Sequence, residues 1–256
     1  MSDRNCLSHW FPKLEAAGLP VPRTRIVPCE TDLRILLDGN TPLFFEDFTW
    51  DLHNAALEVG GYPFFLRTGQ GSGKHQWRDT CYVNGQADLS QHVYSLVEWS
   101  ECVDFMGLPT NVWAVRELLP TKPVAVCPYY KDMPVCKEFR FFVKDGEVIC
   151  YHPYWPAQAL VQGGVWGVPL ALSAEWWKER YWTVDAAHEA DYESLCHLSI
   201  SEYMPLHGLA RDAGLALGGE WSIDILETER GWYVTDCALA ARSFHWEGCE
   251  KAELFV

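Results

Sequence analysis

The sequence predicts an α+β fold, and three observations lead there. Runs of strand formers bounded by turn residues recur at Tyr62 to Val83, Lys137 to His152 and Glu220 to Ala241. Stretches with helical spacing precede and separate them. Pro120 and Pro123 mark a crossing after which the texture of the chain changes. At 256 residues the chain can bury a large core, as one domain or as two closely packed lobes.

The elements follow in order. His9 to Ala17 has helical spacing and stops at Gly18, and Pro20-Val21-Pro22 leads stiffly into a strand from Arg23 to Val27. Thr49 can cap a helix with the apolar stripe Leu52, Ala55, Ala56 and Val59, ended by Gly60-Gly61. Residues 1–59 thus form a short helix, strand and helix segment. Residues 60–120 form a lobe with a glycine-rich loop: a strand at Tyr62 to Arg67, a second strand at Trp77 to Val83, a helix capped by Ser90 and extending to about Phe105, and a strand at Asn111 to Leu119. Residues 121–256 form the other lobe. Its clearest hairpin is Lys137 to His152, where Asp145-Gly146 signals a type I′ turn with Lys144 facing Glu147. Counting back in that register puts Glu138, Arg140, Phe142 and Lys144 on one face and Phe139, Phe141 and Val143 on the other. Pro153 to Pro169, rich in Tyr, Trp, Gly and Pro, reads as a long loop, and Leu195 to Ala213 as a helix interrupted at Pro205.

Composition excludes several classes. A formal charge of -15 argues against nonspecific nucleic-acid binding, which needs a basic face, so nucleic acid is an unlikely partner. The ten cysteines include no Cys-x-x-Cys pair and the polar start MSDRNCLSHW lacks the core of a signal peptide, which together suit a reduced cytoplasm and thiols acting as small buried hydrophobes. No run approaches the roughly 18 apolar residues of a membrane span, so no membrane partner is expected. The thirteen tryptophans read as core and lobe packing.

Two segments carry chemistry. In YPFFLRTGQGSGKHQW, Tyr62 to Trp77, an apolar strand with Arg67 at its end enters a turn holding Gly69, Gly71, Gly73 and Lys74. Glycines at positive φ let successive N–H groups converge on an anion, and the two cations stand out against the acidic background. The P-loop spacing fails, because Thr68 occupies the place of its first glycine and His75 follows Lys74; the dinucleotide fingerprint fails because no helix follows. An ordinary glycine-rich hairpin loop is the alternative. In EWSIDILETERGWYVTDCALAA, Glu220 to Ala241, a three-residue loop ending in a left-handed Gly231 would set Thr228 opposite Trp232 and Asp224 opposite Asp236. Opposed like charges destabilise a sheet unless a cation lies between them, and hard oxygen donors suit magnesium. A two-residue loop at Arg230-Gly231 would instead turn the aspartates to opposite faces.

Set in order, these pieces resemble the ATP-grasp superfamily: Phe64-Phe65-Leu66-Arg67, the glycine loop Thr68 to His75, Val115-Arg116-Glu117-Leu118-Leu119, Glu138-Phe139-Arg140-Phe141-Phe142-Val143, Trp221-Ser222-Ile223-Asp224-Ile225 and Val234-Thr235-Asp236. The resemblance covers roughly Phe11 to His245. It implies two α+β lobes, each with a mainly antiparallel sheet and the ATP site between them. It implies that Arg67 meets the inner phosphates, that Gly71, Gly73 and Lys74 belong to a loop closing over the outer ones, and that Glu117, Leu118 and Leu119 meet adenine and ribose. Arg140 would contact the transferring phosphoryl group, and Asp224 and Asp236 would hold Mg2+. The implied activity is ATP-dependent ligation of a small-molecule or peptide carboxylate, or of a protein substrate, to an amine through an acyl phosphate, with Arg140 and Lys74 as catalytic groups. The short leading segment and the EFRFFV strand are similar to a compact branch that includes predicted peptide-tagging ligases and the ATP-binding assembly chaperone of translation initiation; a binding module with little turnover is therefore the alternative. Three features depart from the pattern: Arg67 replaces a lysine, Ala238 stands where a third magnesium ligand, an asparagine, is usual, and the leading lobe is short. Tyr154, Trp155 and Trp166 are candidates to shape an acceptor pocket or to pack between lobes.

Overall fold

A computed structural model describes residues 3–103, 105–157, 160, 188–246 and 249–255. The chain divides into two units, Met1–Pro12 with Pro22–Leu119, and Lys13–Val21 with Pro120–Val256. Helix α1, Leu7–Ala16, carries the first division, at Pro12.

The first unit is built on strands β1 Thr24–Pro28, β2 Phe64–Thr68, β3 Tyr82–Val83 and β4 Val112–Glu117, and its other helices are α2 Phe45–Val59 and α3 Leu89–Val103. The four strands form an antiparallel sheet in the order β1-β4-β2-β3. Period-two alternation sorts its faces. Phe64 and Leu66 lie opposite Glu117 and Val115, and with Trp113 and Val27 they meet the α2 stripe Leu52, Ala55, Ala56 and Val59 and the α3 residues Val93, Leu96 and Val97. Phe65 and Arg67 lie opposite Arg116 and Ala114 on the other face.

Three sequence expectations change here. Helix α3 begins at Leu89, so Ser90 lies within it and does not cap it. Helix α2 begins four residues before Thr49, whose hydroxyl donates to the Glu46 carbonyl from within the helix (2.9 Å) and caps nothing. The strand expected at Trp77 to Val83 shrinks to Tyr82–Val83, because the preceding residues fold back so that the Tyr82 N–H reaches the Trp77 carbonyl (3.0 Å) and the two rings stack.

In the second unit, β5 Ala125–Cys127 and β6 Met133–Val135 form a small ribbon. The main sheet has the order β10-β9-β7-β8, with β7 Glu138–Lys144, β8 Glu147–Pro153, β9 Glu220–Thr228 and β10 Gly231–Leu239, again antiparallel. Among the described residues ahead of β9 are the helices α4 Glu189–Cys196 and α5 Ile200–Leu217. The break between them falls at 197–199, ahead of Pro205. Ser199 opens α5 with a capping box, in which its hydroxyl accepts from the Glu202 N–H and Glu202 accepts from the Ser199 N–H. Gly214 lets α5 lie close to the sheet, since a Cβ there would sit 2.9 Å from Val143 Cγ2.

Both hairpins position candidate site residues. Asp145 and Gly146 take φ of 48° and 83°, the left-handed pair a type I′ turn demands, and Lys144 pairs with Glu147. The β9–β10 turn differs from expectation: Thr228 pairs with Gly231 across Glu229 and Arg230, and Trp232 faces Glu227. The register then shifts at Thr235, a β-bulge between Val234 and Asp236, and Asp236 comes to lie opposite Asp224. A bulge and a three-residue loop each add one unpaired residue, so they lead to the same partner.

Candidate functional site

Each unit presents part of the residue set. In the first, Arg67 projects from β2 on the face opposite the hydrophobic core, and it is buried. Its Nε donates to the Thr68 carbonyl (3.1 Å), and its guanidinium lies 6.0 Å from the Trp10 ring centre. Arg116 shares that face, at 6.0 Å from Trp10 and 5.9 Å from Phe11, with its Nε donating to the Thr24 hydroxyl. Two cations thus lie under the aromatic side of α1, an arrangement stabilised by ring quadrupoles.

The glycine loop is held by bonds to β4 and α1 and by one to Thr68. The Gly69 N–H donates to Val112 (2.7 Å) and the Gly71 N–H to the Thr68 hydroxyl (3.1 Å), while the Gly69 carbonyl accepts from Leu7. Of the three, only Gly73 has positive φ (58°). A Cβ on Gly69 would meet Cys6 Sγ, and one on Gly71 the Trp99 ring, each at 2.4 Å. Glycine at 69 and 71 therefore serves close packing and not a positive φ. Lys74, half-buried, opens the short turn Lys74–Gln76. The neighbouring His75 is held below the usual histidine range by burial and then by the Lys74 charge.

Glu117 ends β4 on the core face, away from Arg67. Its carboxylate accepts from the Arg23 backbone N–H (3.0 Å) and from Arg23 Nε and Nη2, closing the sheet edge, and Leu118 and Leu119 follow it half-buried. A polar cleft of about 850 Å³ in this unit, lined by Thr80, Asp88, His92, Ser95 and Glu98 among others, contains none of the residues expected to hold nucleotide.

The second unit gathers its expected residues on one face. Arg140 of β7 lies opposite Asp224 of β9, which lies opposite Asp236 of β10. Arg140 grips Asp224 with two parallel bonds, Nε to Oδ1 at 2.7 Å and Nη2 to Oδ2 at 2.8 Å, and its guanidinium lies 5.1 Å from the Tyr154 ring. The positive charge that the opposed aspartates require comes in part from Arg140, which corrects the expectation that a metal alone must supply it. Burial would lower the Arg140 pKa, but the Asp224 carboxylate overrides it and raises the guanidinium above its ordinary value.

Two residues not singled out from sequence join this face. Glu138, two positions before Arg140, is buried and accepts from the Thr235 hydroxyl (3.2 Å), which also reaches the Asp224 carbonyl (3.3 Å). The bulge that brings the aspartates together thus ties in a third carboxylate. His152 lies opposite Arg140 on β8 and is pushed down to about 4, by burial first and then by His245 and Arg140. The parity of β7 already placed Glu138 beside Arg140; nothing in sequence announced His152. Ala238 faces Ser222, so no amide oxygen stands at that position. Trp155 is buried against Tyr154 and Tyr130, whereas Trp166 and most of the expected loop to Pro169 lie outside the described residues.

No family model matches the sequence, and no curated protein is significantly similar to it. Solved structures do match. Cdc123 from Schizosaccharomyces pombe aligns over 99% of this chain and 91% of that chain, with TM-score 0.58 and 12% identity. Its C-terminally truncated form aligns over 93% and 84%, with TM-score 0.55 and 11% identity. A RimK domain protein ATP-grasp from Sphaerobacter thermophilus DSM 20745 aligns over 92% of this chain and 60% of that one at TM-score 0.47 and 15% identity, a likeness that carries no argument alone. The Cdc123 likeness shows the fold: an α+β architecture with mainly antiparallel sheets, shared with that structure. Among the described residues, no helix is long and apolar enough to cross a membrane.

Proposed function

We propose that the protein binds ATP with Mg2+ and uses it to join a carboxylate to an amine through an acyl phosphate. The observation that carries this reading is the face holding Glu138, Arg140, Asp224 and Asp236. Three carboxylates against one guanidinium leave an excess of negative charge and hard oxygen donors, and each carboxylate oxygen has more than one lone pair, so Asp224 can serve Arg140 and a cation together. Asp224 and Asp236 would hold the metal, with Glu138 in support. Magnesium bound there would neutralise charge on phosphate oxygens.

The chain's own residues do the positioning. The Arg140 fork fixes the orientation of the Asp224 carboxylate and offers its remaining donor capacity to a phosphoryl oxygen. Arg67 and Lys74 would contribute charge toward the inner and outer phosphates, and Leu118 and Leu119 a surface for adenine. Because Glu117 is engaged by Arg23, its contribution to the base would come through its backbone and not its carboxylate. The acid substrate would attack the terminal phosphorus with ADP leaving, and the amine would then displace phosphate from the acyl carbon; no nucleophilic side chain is required.

One observation favours a second reading, an ATP-binding assembly chaperone or interaction module with little turnover. The Gly69 amide is taken by the Val112 carbonyl and the Gly71 amide by the Thr68 hydroxyl, which leaves fewer donors for holding a transferring phosphoryl group. Calorimetry with Mg-ATP, followed by ADP and phosphate assays with pooled amino acids, decides between them. Amine-stimulated ADP release supports the ligase, and binding without turnover in any mixture supports the module. Asp224→Asn is expected to lose Mg-dependent ATP binding by at least tenfold, the equivalent of about 1.4 kcal/mol; unchanged binding by this variant would remove the metal assignment.

A further inference from the structure

Next to Arg140 on the same sheet lies a second group of side chains that the nucleotide reading does not use. Cys150 and His152 are two residues apart on β8 and so share a face, and His245 and Cys249 come from the chain beyond β10. One donor atom from each of the four lies within 4.8 Å of all the others. The Cys150 sulfur is 3.3 Å from His245 Nε2 and 3.8 Å from His152 Nε2. In a tetrahedral site with Zn–S near 2.3 Å and Zn–N near 2.0 Å, ligand atoms stand about 3.3 to 3.8 Å apart, so these separations already approach those of a metal shell.

We propose that Cys150, His152, His245 and Cys249 bind one structural zinc ion. The donor set is two thiolates and two imidazoles, soft and borderline ligands that select zinc over magnesium, so this centre and the carboxylate face would not compete for the same ion. Charge also fits. Two thiolates cancel the divalent ion, and a neutral complex can lie beside Arg140 where a free dication would be repelled. Burial and the Arg140 charge keep His152 and His245 neutral, with lone pairs available, and burial foremost pushes the Cys150 thiol up to about 12. Binding would release the two thiol protons to solvent as the Zn–S bonds form, with no change of oxidation state.

The ion would fasten the segment after β10 onto the sheet. That segment otherwise rests on a small apolar cluster, Phe142, Ala240 and Phe255, with Ile149 and Cys150 against it, and the His245 ring stacks on Phe142. With all four positions taken by protein, the centre is structural and not catalytic. The ligands form Cys-x-His and His-x-x-x-Cys pairs, which is why counting Cys-x-x-Cys motifs does not find them.

The test is elemental analysis of the full chain after desalting, with cobalt substitution. One zinc per chain is expected, and after chelation Co2+ should give the strong visible bands of tetrahedral coordination with a thiolate charge-transfer band. Cys249→Ser and His245→Ala should lose the bound zinc, whereas Cys102→Ser, an exposed thiol outside the group, should keep it. If those variants fail to fold, the cobalt spectrum of the unaltered chain still decides. A chain that takes up neither metal, ligand variants that retain full zinc, or a Cys150–Cys249 disulfide found by peptide mass mapping in the protein as purified would each overturn the assignment.

Discussion

The first unit's sheet sets two buried guanidiniums, Arg67 and Arg116, on one face beneath the rings of Trp10 and Phe11, and sends Glu117 to the other face to meet Arg23. The second unit's sheet does the reverse: Glu138, Asp224 and Asp236 share a face with the single guanidinium of Arg140. Both are four-stranded and antiparallel, so the difference does not come from architecture. It comes from parity, because residues two apart along a strand and those directly opposite on its neighbour land on the same side. One sheet presents positive charge under an aromatic cover, and the other presents carboxylates in excess. In the proposed function the first would face phosphate and the second would hold a divalent cation.

Substitutions can break this contrast, beginning with the largest effect. Arg140→Met leaves Asp224, with a side chain only 5% exposed, without its fork, and the expected loss in urea unfolding is about 3 kcal/mol, the lower end for a buried pair that loses one partner. The double variant Arg140→Met with Asp224→Asn should recover part of that loss; if the single variant is as stable as the parent, the pair is not holding the face together.

The first unit offers a packing test. Gly71→Ala places a methyl 2.4 Å from the Trp99 ring and should destabilise by about 2 kcal/mol through overpacking. Thermal unfolding checks this, and a neutral result would mean that the Trp99 ring gives way and that packing does not require glycine there. Ser199→Ala removes the acceptor for the Glu202 N–H at the start of α5 and should cost about 1 kcal/mol.

The last effect is the most specific, because pH resolves it. Burial opposes ionisation of Glu202, but hydrogen bonds from Lys137 and Ser199 outweigh it and bring the carboxyl from its ordinary 4.5 down to about 2. A lowered carboxyl pKa stabilises the fold above the unfolded value, so this contribution is complete above pH 4.5 and is lost as pH falls toward 2. Glu202→Gln should flatten the acid limb of the stability profile over that window, and an unchanged limb would mean that Lys137 does not hold Glu202 in solution.

Much of this was legible locally. Asp145-Gly146 specified its turn because two adjacent residues must both take positive φ, a demand few dipeptides meet, and the helix stripe Leu52, Ala55, Ala56 and Val59 followed from the 3.6-residue period. Asp224 opposite Asp236 was reached through the wrong device, since a bulge at Thr235 supplied the extra residue that had been assigned to the loop. Spacing counts residues between two positions but does not say where an unpaired one sits. The glycine loop shows the same limit: its composition was clear, yet whether a glycine serves φ or a close neighbour depends on Cys6 and Trp99, which are distant in sequence.

Short-range chemistry therefore set the elements, their turns and the face each side chain occupies, because period, capping and turn strain act within a few residues. The long-range pairings had to await the fold. Arg140 meets Asp224 across 84 positions, and Cys150 meets His245 across 95, because β9 docks beside β7 and the final segment lies over β8. Those adjacencies result from burying apolar faces that are common to many possible strand orders, and no local pattern in the chain distinguishes one order from another.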